Sequence, residues 1–302
     1  MIPIVIRDAR GELIHGFSTG DLEVMVNGTP LNISGIGRES RQRRIVILLD
    51  ASGSMRGAGK DFPWRQAIAS AKLLTSFSEG RARLALLIFN VKVIEEIAFG
   101  SDNSAIAKRL NELGEDQKFL DQSVQGTTAL FDAMRRALEL LGQPTSADEI
   151  FLVSDGLNNH SHLTGRELQQ RLAESGVRVF VSLLQPSLGN QSRVPVELMA
   201  GPDWSEFAER TGGGIMFLSP TEVVFAFQAR PRPSLSEGLR IFFDGMFANE
   251  ILQGSVANQN LKKRDLRIAL SASARYHLKG AQLSYPRQLY ACPQDQSVSD
   301  AH

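Results

Sequence analysis

The chain has 302 residues, a length that suits about two domains of roughly 150 residues each. Thirty-three Lys plus Arg stand against thirty-three Asp plus Glu, so no basic excess is available for nucleic acid or for a membrane surface bound by charge. Apolar residues at 42% exclude disorder as the main state, and a single cysteine, Cys292, excludes a disulfide scaffold and a Cys-rich zinc site.

Residues 1–42 read as β. Ile4–Arg7 and Leu22–Val26 are predicted strands, and Asn27-Gly28 is a hairpin turn before Leu31–Ile36. The start, Met-Ile-Pro-Ile-Val-Ile followed by Arg7-Asp8, is not the basic residue plus long apolar stretch of a secretory signal. Gly37–Arg44 is polar and basic and reads as a solvated linker. Gly16-Phe17-Ser18-Thr19-Gly20 matches the G-x-S-x-G of serine hydrolases, but that elbow needs a helix after it, and a strand pattern follows.

From residue 43 to 220 strands alternate with helices. Ile45–Leu49 is a continuous apolar run, as expected of a strand covered on both faces of a parallel sheet. Pro63 suits a helix start, and Trp64, Ala67, Ile68, Ala71, Leu74 and Phe77 follow at helical spacing. Leu84–Phe89 and Val91–Phe99 are strands joined so tightly that they should be antiparallel. Helices follow at Ile106–Leu113 and Leu130–Leu141, then a strand at Ile150–Val153. Thr164 with Glu167 forms a capping box for the next helix, and Val177–Leu184 is a strand. A polar insertion at 185–200 precedes a helix with Trp204, Phe207 and Ala208, and Ile215–Leu218 is the last strand of the block. Both tryptophans lie on apolar stripes and are expected in the core. The predicted architecture is a doubly wound α/β fold.

After a break at Arg230–Pro233, Leu239–Phe243, Leu266–Leu270 and Leu278–Leu283 read as strands. The segments 1–42 and 221–302 are each too small to bury a sheet face alone, so they are expected to pair into a β-sandwich-like region beside the α/β block. The longest apolar runs are too short to cross a bilayer.

The chemistry gathers after the first buried strand, at Asp50-Ala51-Ser52-Gly53-Ser54. A carboxylate and two hydroxyls at alternate positions offer hard oxygens to one point, at the sheet edge where open α/β folds bind ligands. Gly126-Thr127-Thr128-Ala129-Leu130 places threonines just before a helix, and Ser154-Asp155-Gly156 ends the next parallel strand. Each segment alone has a plain reading as a turn or helix cap, but in a doubly wound sheet all three loops share one edge. Gly57-Ala58-Gly59-Lys60 lacks the first glycine and the final Ser or Thr of a phosphate loop. His160 and His162 read as solvated loop residues.

Together these residues resemble the von Willebrand factor type A domain, over 43–220. Asp50, Ser52, Ser54, Thr128 and Asp155 match its metal-ion-dependent adhesion site. Leu-Val-Ser-Asp-Gly and Ala-Glu-Arg-Thr-Gly-Gly-Gly add to the match, and the flanks resemble bacterial VWFA-related proteins, with Tyr285-Pro286-Arg287-Gln288-Leu289 in the tail. The resemblance implies that Ser52, Ser54 and one of Thr127 and Thr128 bind Mg²⁺ (or Mn²⁺ or Ca²⁺) through hydroxyls. Thr128 is preferred because Ala-Leu-Phe-Asp-Ala follows it in the family's register. Asp50 and Asp155 would act directly or through water, and a partner protein's Glu or Asp would complete the site. The expected function is a non-enzymatic protein-binding module, with no nucleic acid partner and no membrane insertion. The alternative is an accessory subunit of a larger enzyme or ATPase assembly with a mainly structural metal. The resemblance favours an exported location, periplasmic or extracellular, if a signal was removed; the oligomeric state is left open.

Overall fold

The structure, a computed structural model, describes residues 1–56, 63–100, 102–184, 203–219, 223–225, 233–254 and 263–290. The phosphate-loop-like Gly57–Lys60, the insertion at 185–200, the break at 230–232 and Cys292 lie outside the described residues.

The N-terminal segment supplies β1 (Ile2–Pro3), β2 (Val5–Arg7), β3 (Leu22–Val26), β4 (Thr29–Pro30) and β5 (Ile33–Arg38). Asn27-Gly28 makes the β3–β4 hairpin turn, both residues at positive φ. Ser18 lies ahead of β3 and donates its hydroxyl to Asp21, so the G-x-S-x-G stretch caps a short turn before a strand.

The central block runs β6 (Arg43–Asp50), α1 (Pro63–Phe77), β7 (Ala82–Phe89), β8 (Val93–Ile97), α2 (Ser104–Glu115), α3 (Gln117–Ser123), α4 (Leu130–Leu141) and β9 (Asp148–Ser154). It continues with α5 (Gly165–Ser175), β10 (Arg178–Leu184), α6 (Trp204–Arg210), β11 (Gly214–Leu218) and β12 (Val223–Phe225). The seven-stranded sheet has the order β12-β11-β10-β9-β6-β7-β8. Its inner strands are parallel and its edges, β8 and β12, are antiparallel. Because side chains alternate along a strand, β6 sends Ile45, Ile47 and Leu49 to one core and Val46 and Leu48 to the other. Trp64 on α1 joins the first core, and Trp204 on α6 packs with Phe131 and Phe207 in the second. The fold is doubly wound α/β.

The tail holds α7 (Leu235–Met246), β13 (Glu250–Gly254), β14 (Lys263–Leu270), α8 (Ala272–His277), β15 (Gln282–Ser284) and β16 (Gln288–Tyr290). Three antiparallel sheets, β1-β13-β5, β16-β14-β3-β4 and β15-β2, each take strands from both ends of the chain. Their inner faces meet in one core containing Ile4, Ile6, Val24, Leu252, Ile268 and Tyr285. Neither end closes a sheet of this kind alone.

Three sequence expectations are corrected. Leu239–Phe243 is not a strand but the middle of helix α7. Ser234 caps that helix by accepting from the Glu237 amide, and Ile241, Phe242, Phe243 and Met246 cover the α/β sheet rather than the tail's own core. A short apolar run does not separate strand from helix by itself; the tertiary surface decides. Leu278–Leu283 divides between the end of α8 and β15. Gly37–Arg44 is a solvated linker only in part: Arg38 and Ser40–Gln42 are exposed, but both ends belong to strands and Arg43 is buried. β5 extends to Arg38, and the Glu39 amide donates to Asn249 O at 2.7 Å. Arg41 beside the Glu39 carboxyl holds it down at about 2.

Arg43 is buried at the base of the sheet. Its guanidinium and that of Arg178 both donate to the buried Glu149 carboxylate. Arg43 also donates to Ala248 O (3.0 Å) and Arg178 to Met246 O (3.0 Å), so the C-terminal end of α7 is tied to the first residues of β6 and β10. A second seam lies nearby. Arg287 N donates to Arg210 O at 3.0 Å and Thr211 bridges to Pro286, bringing the Thr-Gly-Gly-Gly and Tyr-Pro-Arg stretches together. Only glycine fits at 213, since a Cβ there would lie 1.9 Å from Val179 O.

Glu149→Gln leaves two buried guanidiniums without a counter-charge. It should lower the unfolding free energy by about 3–5 kcal/mol, read from urea denaturation. A fragment spanning 43–248 should melt cooperatively and well above one spanning 43–220, which lacks α7. Equal midpoints would show that the apolar face of α7 adds nothing to the α/β core.

Candidate functional site

The candidate residues sit at the carboxyl ends of β6 and β9, opposite the Arg43–Glu149–Arg178 cluster. Seven residue steps along β6 separate Arg43 from Asp50, roughly 23 Å of strand. β6 delivers Asp50 fully buried, and the chain then turns through a short 3-10 segment at Gly53–Met55. The Asp50 carboxylate accepts from the Ser52 amide at 2.8 Å and from the Ser154 hydroxyl at 2.5 Å. Burial pushes the Asp50 carboxyl up to about 7; the Ser154 hydroxyl pulls it down and the nearby Asp155 charge raises it. Ser52 is buried and Ser54 exposed, with their hydroxyls 3.1 Å apart.

Backbone hydrogen bonds hold the second loop against the first. Gly53 N donates to Gly126 O at 2.9 Å and Gln125 N to Ala51 O at 3.0 Å. Asn90, at the end of β7, accepts from Ala129 N through its carbonyl and donates its side-chain amide to Gln125 O. In this loop Thr127 is exposed and Thr128 is 1% exposed. The Thr128 Oγ1 atom is buried and has no hydrogen-bond partner. Such an atom costs free energy unless something in the functional state satisfies it. That observation distinguishes Thr128, which the family's register favours, from the exposed Thr127.

Asp155 is half-buried at the end of β9, where its carboxylate accepts from Leu157 N at 3.1 Å. Gly156 follows at φ +85°, and a Cβ there would lie 3.0 Å from both Leu183 Cδ2 and Trp204 Nε1. Trp204 Nε1 donates to Gly156 O at 2.9 Å, so the aromatic core sets the turn that presents Asp155. The structure therefore brings Asp50, Ser52, Ser54, Thr128 and Asp155 to one edge on three loops that are hydrogen-bonded to one another.

The sequence reading missed the side chains that hold these loops. Asn158 Oδ1 accepts from Leu130 N (3.0 Å) and from the Ser161 hydroxyl, and Ser161 Oγ accepts from Phe131 N (2.9 Å). They cap α4 from a distant loop, because its own cap position, Ala129, has no side chain for that purpose. Asp132 accepts from the His162 and Leu163 amides. A run of Asn-Asn-His-Ser after Asp-Gly is the only sequence signal, and it is equally that of an ordinary polar loop. His160 and His162 are exposed, as expected of loop residues. Among the described residues no three His, Cys, Asp or Glu side chains converge as a metal cluster, so the two histidines complete no site of that kind.

Residues 45–158 match the family model of the von Willebrand factor type A domain. Over these residues the α/β block carries a von Willebrand factor type A domain. In this A domain the matched segment runs from Ile45 in β6 past Asp155, and so contains all five candidate residues. Among solved structures the chain is similar to an aerotolerance-related membrane protein from Bacteroides fragilis NCTC 9343. The two are 18% identical, over 68% of this chain and 98% of that one, with a TM-score of 0.42. BatB from Bacteroides thetaiotaomicron is also 18% identical, over 67% of this chain and 86% of that one, with a TM-score of 0.38. A membrane-spanning protein from Vibrio fischeri is 19% identical, over 59% and 91%, with a TM-score of 0.28. No match is found among curated proteins. Among the described residues no helix is long and apolar enough to cross a membrane.

Asn158→Ala removes the acceptor that caps α4. It should cost about 1 kcal/mol and lower the melting temperature by roughly 2–4 °C, measured by differential scanning calorimetry.

Proposed function

We propose that the A domain is a protein-binding module that depends on a divalent cation, Mg²⁺ or its relatives Mn²⁺ and Ca²⁺. The observation that carries this reading is the buried, unpartnered Thr128 hydroxyl, on the same sheet edge as an Asp50 carboxyl that burial has driven up to about 7. A cation relieves both costs together: it gives the hydroxyl oxygen a partner and compensates the buried carboxylate. The donor set is Ser52, Ser54 and Thr128 through hydroxyls, with Asp50 and Asp155 as the charged members. All are hard oxygens, which suit Mg²⁺ and not a thiophilic metal.

The cation would supply charge attraction for an anionic oxygen. Two carboxylates only balance a divalent charge, and hydroxyl ligands leave it strongly polarising, so a Glu or Asp side chain of a partner protein is the preferred occupant of an open position. The residues of this chain orient that interaction. The Ser154 hydroxyl and Ser52 amide hold the Asp50 carboxylate in one direction, and the hydrogen-bonded loops keep the hydroxyls at the surface edge of the sheet. This is binding chemistry and asks no nucleophile or proton shuttle of these residues.

Thr128→Val tests the reading with an almost isosteric change. Because Oγ1 has no partner within the protein, the variant should melt within a few degrees of wild type in EDTA. Wild type should gain stability on adding Mg²⁺, by about 2.7 kcal/mol at a concentration a hundred times Kd, and Thr128→Val should lose most of that gain. The measurement is differential scanning fluorimetry across EDTA and Mg²⁺. A wild-type curve that ignores Mg²⁺ would overturn the proposal.

A further inference from the structure

Thr128 is gripped at both ends of its backbone by one neighbouring residue. Asn159 Oδ1 accepts from Thr128 N at 2.8 Å, while Asn159 N donates back to Thr128 O at 3.1 Å. The His160 amide donates to the same carbonyl at 3.0 Å. Asn159 is itself exposed, so burial of its side chain does not account for its place in the loop. Nor does helix capping, because Asn158 and Ser161 already satisfy the Leu130 and Phe131 amides.

We infer that Asn159 is a positioning residue for the cation site, setting the direction of the Thr128 hydroxyl and its separation from Asp155. The inference rests on the proposed cation-binding function. Threonine is β-branched and its χ1 has few choices, so fixing its N–H and C=O largely fixes where Oγ1 points. Asn159 stands four residues after Asp155 on the same loop. Its contact with Thr128 therefore clamps the loop carrying the carboxylate to the loop carrying the hydroxyl. Without the Oδ1 acceptor, the buried Thr128 N–H loses its partner, and the loop can turn toward water to satisfy it. The hydroxyl would then leave its buried position, even though Asn159 touches no ligand itself.

The experiment is isothermal titration of the full chain with Mg²⁺, together with hydrogen exchange of the Thr128 amide by ¹⁵N NMR. Asn159→Ala should weaken Mg²⁺ binding about ten- to hundred-fold and expose the Thr128 amide to exchange. Its melting temperature in EDTA should stay within a few degrees of wild type. Asn159→Asp keeps an acceptor oxygen at that position and should restore both amide protection and Mg²⁺ affinity. The double variant Asn158→Asp with Asn159→Ala adds the same charge without that acceptor, and should stay weak. Wild-type affinity in Asn159→Ala, with wild type itself binding Mg²⁺, overturns this inference alone. So does a failure of Asn159→Asp to restore binding, or a restoration by the double variant, which would assign the effect to charge. A wild type that binds no Mg²⁺ overturns the proposed function and this inference with it.

Discussion

A single buried carboxylate, Glu149, shared by the guanidiniums of Arg43 and Arg178, decides how the two halves of this protein are joined. Ions with so little access to water need partners, and here the carbonyl oxygens of Met246 and Ala248 accept from the two guanidiniums, while Glu149 Oε2 and Arg178 Nε stay buried without a hydrogen-bond partner. Those carbonyls belong to the end of α7 and the chain just beyond it. The helix is thereby held with Phe242 and Phe243 against the sheet, and β13 begins close by at Glu250. From the other side the Arg7 guanidinium donates to the Ile241 carbonyl of the same helix. Helix α7 is thus the common wall of the A domain and the β-module.

This arrangement has a functional consequence. Arg43, Glu149 and Arg178 stand at the amino ends of parallel strands, whereas Asp50 and Asp155 stand at the carboxyl end of the sheet. The seam formed by Thr211 and Pro286 likewise lies where β11 begins. Among the described residues, Met246, Ala248 and Pro286 therefore tie the β-module to the base of the A domain, at the opposite end of the sheet from Asp50 and Asp155. A partner bound at the proposed cation site would approach the carboxyl ends of the central strands, away from those contacts.

The site itself shows a division of labour between types of interaction. Apolar packing sets the strand ends, as when Trp204 against Gly156 defines the turn at Asp155. Backbone hydrogen bonds, Gly53 to Gly126 and Gln125 to Ala51, then bring the loops into contact. Side-chain amides of Asn90, Asn158 and Asn159 complete the arrangement by satisfying backbone groups that neither helix nor sheet can reach. On the Thr128 loop the Oγ1 atom of Thr128 stays buried without a hydrogen-bond partner.

The sequence by itself determined the α/β block and the residues of the candidate site. The β-branched run Ile45–Leu49, followed at once by turn residues and then a helical pattern, reads as a strand covered on both faces, and parallel strand order then places Asp50, Thr128 and Asp155 at one edge. It also anticipated that the two ends of the chain would share sheets, since neither has enough strands to bury a face. It did not determine the state of Leu239–Phe243, because five apolar-rich residues fit either a strand or a helix. Only the sheet face they cover settles that choice. Nor did it reveal that Arg43 is buried, since an arginine beside polar neighbours looks solvated until Glu149, more than a hundred residues away, is brought to it. The burial of Thr128 next to an exposed Thr127 and the grip of Asn159 were tertiary decisions of the same kind. Burial of one hydroxyl and exposure of the other, and the meeting of two loops about thirty residues apart, exist only once the strands have been placed side by side.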